Sequence, residues 1–111
     1  MISQGSAHGR FQRAIQRRHL HAAEVAAREL GGLSLADALD LTLLMREVET
    51  RRYERAAVRW LERFIEERRP TLAEIALASA ALAEIGGAGD GSLRDLLRGP
   101  AQGLGAFQEP G

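Results

Sequence analysis

Cysteine, lysine and asparagine are absent from the 111 residues, and aromatic side chains make up only 5% of them. Without cysteine there is no disulfide framework and no thiolate to serve as nucleophile or metal ligand. The longest apolar run, Ile75 to Ala83 with Ser79 inside it, is far too short to span a bilayer. Met1 to Gly9 has neither a basic start nor an apolar stretch, so no secretory leader is expected, and the expected location is the cytoplasm of a bacterium. With lysine missing, all fifteen basic residues are arginine, in a chain rich in Ala, Gly and Leu. All four residue types have GC-rich codons, so the arginine count reflects genome composition before it reflects function.

What is present suits one small folded domain. The chain is 45% hydrophobic and 27% charged, ordinary values for a globular protein of this length. Net charge is zero, but it is distributed in blocks. Residues 1–32 carry a balance of +3, residues 33–50 a balance of −3, residues 51–70 +3, and the remainder −3. Alternating signs suit neighbouring helices that attract one another better than they suit a single basic face.

The strongest local signal is a recurrent helix start. Ser34-Leu-Ala-Asp37, Thr71-Leu-Ala-Glu74 and Ser92-Leu-Arg-Asp95 all place a hydroxyl three residues ahead of an acid. In that spacing the hydroxyl accepts the third N–H of the helix and the acid bonds back to the cap. Each start follows a breaker: Gly31-Gly32, Pro70, or Gly89-Asp90-Gly91. The pattern predicts helices over 10–30, 35–48, 52–68 and 72–85, then a short fifth over 93–98, and no strand. The expected fold is therefore all-α, four antiparallel helices as stacked hairpins or a bundle, plus the short fifth helix. A single domain over 10–99 is expected between flexible tails at 1–9 and 100–111.

The third predicted helix is the most amphipathic, with Tyr53, Ala56, Ala57, Trp60, Leu61, Phe64 and Ile65 at three- and four-residue spacing. It carries three of the five aromatics and is expected at the centre of the core. Tyr53-x-x-Ala56-x-x-x-Trp60 resembles the second helix of a tetratricopeptide repeat, although the next small residue of that pattern is replaced by Arg63. The resemblance implies stacked helical hairpins. Ala26-Ala27-Arg28-Glu29-Leu30-Gly31-Gly32-Leu33-Ser34-Leu35 and Tyr53-Glu-Arg-Ala56-Ala-x-Arg59-Trp60-Leu61 resemble segments of short helical proteins of actinobacteria. That second resemblance implies ancestry and no activity.

No constellation of side chains points to catalysis, a cofactor or a metal. His19 and His21, two apart on a helix, point about 200° from each other and do not share an ion. The carboxylate pairs Asp37/Asp40, Glu47/Glu49 and Glu66/Glu67 are explained as caps and helix surface charge. Gly86 to Gly91 is glycine-rich but follows a helix, which fits an interhelical loop and not a phosphate cradle. Two features remain. Arg51, Arg55, Arg59 and Arg63 recur at four-residue spacing, and Arg10, Arg13, Arg17 and Arg18 cluster earlier. The first two predicted helices also carry more apolar residues than so small a domain can bury. The reading is a non-enzymatic interaction module, a homodimer or an adaptor to another protein, with Arg51, Arg55, Arg59 and Arg63 as the partner-binding edge. The alternative is a small nucleic-acid-binding regulator using the two arginine clusters. No membrane partner is expected.

Overall fold

The computed structural model describes residues 6–84 together with position 97. Five α-helices and one 3-10 turn form the described part, with no strand among those residues, so the fold is all-α. The helices are α1 (Ala7–Gln16), α2 (Leu20–Leu30), α3 (Leu35–Val48), α4 (Tyr53–Arg68) and α5 (Leu72–Ala83), and the turn, Thr50–Arg52, leads into α4. The short helix expected over 93–98 (Leu97 apart), its Ser92 start, the glycine loop at 86–91 and the 100–111 tail lie outside the described residues. No helix among the described residues is long and apolar enough to cross a membrane.

The single helix expected over 10–30 is two helices. The first begins at Ala7, where the Ser6 hydroxyl accepts the Gly9 N–H at 3.0 Å. It ends in a Schellman-type reversal: the Arg18 N–H bonds to the Ile15 carbonyl at 3.1 Å and the His19 N–H to the Ala14 carbonyl at 2.9 Å. The left-handed residue at its centre is Arg18, with φ of 59°, where glycine is usual. No Gly or Pro announced the break. The next reversal was announced, since Gly31 closes α2 at φ of 80°.

The caps are realised to different degrees. Thr71 and Glu74 complete a capping box, with Glu74 N to Thr71 Oγ1 at 3.1 Å and Thr71 N to Glu74 Oε1 at 2.9 Å. At α3 only half forms: the Ser34 hydroxyl accepts the Asp37 N–H at 3.1 Å, while the Asp37 carboxylate pairs with His8 Nε2 at 3.1 Å.

The chain divides into two compact units, residues 1–60 and 61–111, with the boundary inside α4. In the first unit Phe11 is fully buried among Ala14, Leu20, Ala23, Ala26, Leu44 and Met45. Half-buried Ala56 of α4 packs against this cluster. The break at Arg18 shapes it. A straight helix would turn its two apolar sides in different directions, whereas two helices packed on one another bury residues from both. Much of the apparent apolar excess is thereby absorbed. On α4 the buried stripe is Tyr53, Ala57, Trp60 and Phe64, while Leu61 is half-buried and Ile65 exposed. Trp60 is anchored by its indole N–H, which donates to the Leu35 carbonyl at 2.8 Å. In the second unit Phe64, Glu74, Ala78, Ala81 and Leu82 are buried.

Candidate partner-binding groove

The link between α3 and α4 has neither glycine nor proline, and it is held by side chains. Glu49 leaves helical geometry with φ of −137° and ψ of 73°. The Thr50 hydroxyl donates to the Arg46 carbonyl at 3.0 Å, satisfying one of the carbonyls left open at the end of α3. Arg52 then pairs with Glu24 of α2 and, at 2.9 Å, with Glu49. These two carboxylates, Glu24 foremost, raise the Arg52 pKa above its ordinary value. Tyr53 is buried, and the Arg46 guanidinium lies 5.8 Å from its ring centroid. Burial raises the Tyr53 pKa and the nearby Arg46 charge opposes that rise.

This arrangement leaves Arg51, Glu54, Arg55, Val58 and Arg59 of the link and of the first half of α4 exposed. They line an open groove of about 1400 Å³ that includes Met45, Val48, Arg51, Arg55, Val58 and Arg59. Val48 and Val58 are each about half exposed, at 49% and 50%. Arg51, Arg55 and Arg59 make no ion pair or hydrogen bond with the described residues. Two acids also line the groove: Glu49 is engaged by Arg52, and Glu54 is unpaired.

Of the four arginines expected to form one edge, three line this groove. Arg63 does not; it is half-buried and its Nε bonds to Glu67 at 2.6 Å. Arg51 belongs to the 3-10 turn and not to α4. The earlier cluster is largely consumed within the fold: Arg10 pairs with Glu29, Arg18 pairs with Glu47, and Arg13 is also engaged. His19 is the cap residue of α2 and His21 is exposed on that helix. Among the described residues no group of three or more His, Asp or Glu side chains is placed to hold a metal.

Sequence reasoning missed the valines of the groove as site residues. Val58 carried a weak signal, because three of its four helical neighbours at three and four residues, Glu54, Arg55 and Glu62, are charged, the fourth being Leu61. Val48 stood among the surplus apolar residues of its helix without distinction. Comparison of the chain with family models, with curated proteins and with solved structures finds no match.

Proposed function

We propose that this chain is a non-enzymatic interaction module, working by packing of helix faces against another protein or a second copy of itself. The observation that carries this reading is the groove of the first unit, where three unpaired arginines flank half-exposed Val48 and Val58. An open surface that mixes unpaired cations with apolar side chains has the make-up of a protein interface. The expectation of a cytoplasmic adaptor built from antiparallel hairpins, stacked as in tetratricopeptide repeats, belongs to the same proposal. The nucleic-acid reading draws less support, because Arg10 and Arg18 are already paired with Glu29 and Glu47.

A photo-crosslinking residue in place of Glu54, on the rim of the groove, tests the proposal in cells that express the chain. Adducts of discrete protein mass, lost when Arg55→Glu and Arg59→Glu are added, are the expected result. Absence of protein adducts overturns the proposal, and adducts to nucleic acid alone replace it with the regulator.

A further inference from the structure

We propose that the groove seats an acidic amphipathic helix of a partner protein. Its carboxylates, spaced every fourth residue, face Arg51, Arg55 and Arg59, and its apolar stripe covers Val48 and Val58. The inference rests on the interaction-module reading and names the chemistry of the partner.

Charge complementarity is the first argument. Arg10, Arg18 and Arg52 of the first unit are satisfied by acids of the fold. Arg51, Arg55 and Arg59 are unpaired among the described residues and share one groove, whose two acids are Glu49, engaged by Arg52, and Glu54. Guanidinium groups bind carboxylates through paired N–H donors, so such a row favours carboxylate ligands.

Spacing is the second argument. Arg55 and Arg59 are one four-residue step apart on α4, which is about 6 Å along the helix axis. Acids four residues apart on a ligand helix repeat at the same interval, so two charge rows running alongside one another stay in register. Arg51 extends the row by one more step from the 3-10 turn.

The apolar content separates a protein helix from the other polyanions. Val58 lies between Arg55 and Arg59 in the sequence, and Val48 reaches the same groove from the end of α3. A phosphodiester strand would leave both valines without an apolar partner. A small metabolite is a poor match as well, since enclosed ligand pockets run from about 300 to 1,000 Å³ and this groove is larger and open. Helix-in-groove recognition uses this combination of a charged row beside apolar anchors.

The test uses the full chain and a labelled synthetic helical peptide carrying Glu at every fourth position and Leu on the adjoining stripe. Fluorescence anisotropy at low ionic strength is expected to show saturable binding that weakens as salt is raised. The exposed pair Arg55→Glu and Arg59→Glu, with the helical circular dichroism unchanged, is expected to weaken binding about tenfold. Replacing the peptide glutamates by lysine should restore it. Val58→Asp should weaken binding of the acidic peptide with all three arginines intact. No binding overturns the inference, as does equal binding of a peptide with the same composition in scrambled order. A DNA oligonucleotide that binds more tightly than the peptide and ignores Val58→Asp also overturns it. Failure of the peptide alongside protein crosslinks at position 54 sinks the acidic helix alone, whereas loss of those crosslinks sinks the underlying reading.

Discussion

Arg18 sits at φ of 59°, a conformation that costs a side chain with a Cβ about 1 kcal/mol and costs glycine nothing. Its guanidinium pairs with Glu47, but both groups are largely exposed, and such pairs contribute at most about 1 kcal/mol. Arg18→Gly removes the strain and the pair together, so its stability is expected to equal or exceed that of the native chain. Arg18→Ala keeps the strain and loses the pair, and it is expected to be the less stable variant by about 1 kcal/mol in urea denaturation. The same residue shows why sequence reading ran one helix over 10–30: Gln16-Arg17-Arg18-His19 contains no residue that prefers the left-handed turn it makes. Tyr53 offers a second test, because it is the only tyrosine and its titration is read directly from tyrosinate absorbance. Burial raises its pKa above 10.0, so the folded state favours the phenol. That contribution to stability is complete below the unfolded value of about 10 and is lost as pH climbs through the raised folded value. Tyrosinate is therefore expected to appear later in the folded protein than in urea, and later still in Arg46→Met, since the Arg46 charge opposes the shift.

At the scale of the element, two helix starts with the same sequence pattern behave differently. Thr71-x-x-Glu74 closes its box on itself, and Glu74 is buried. In Ser34-x-x-Asp37 the acid turns instead to His8, a partner far away in sequence that local pattern reading does not see. Glu74→Ala is accordingly expected to cost about 1 kcal/mol of stability and Asp37→Ala about half of that or less. Glu74 Oε2 is buried without a hydrogen-bond partner. A Glu74→Ala variant as stable as the native chain in thermal or urea unfolding would show that this uncompensated oxygen outweighs the box. Helix positions were legible wherever a hydroxyl cap, a glycine or a proline marked the end, as at Ser34, Gly31 and Pro70. They were not legible where side-chain hydrogen bonds made the turn, as Thr50 and Arg52 do between α3 and α4.

For the molecule as a whole, the alternating charge blocks foretold part of the pairing, since Arg18 reaches Glu47 and Arg52 reaches Glu49, but not the pair of Arg52 with Glu24, which joins two positively balanced blocks. The same pairing explains how much of the candidate site could be read in advance. Spacing placed Arg51, Arg55 and Arg59 on one edge, but which arginines stay unpaired depends on contacts far apart in sequence, and these removed Arg10 and Arg18 from the free set. The zero net charge has a further consequence, because it leaves little repulsion between copies near neutral pH. α5 adds to this. Its exposed residues are Leu72, Ala73, Ala76, Leu77, Ala80 and Ala83, and its one charged residue, Glu74, is buried. A helix face without charge gains by removal from water, at roughly 25 cal/mol per Å² of apolar surface covered. Light scattering at neutral pH is therefore expected to give a mass that rises with concentration toward two chains. The increase should persist at high salt, because an apolar contact is not screened. Ala76→Glu with Leu77→Glu should abolish the increase, and Arg55→Glu with Arg59→Glu should leave it in place, since those residues are not on α5. A single-chain mass at every concentration would show that the α5 face does not hold two copies together, and would leave the groove as the surface through which this protein meets others.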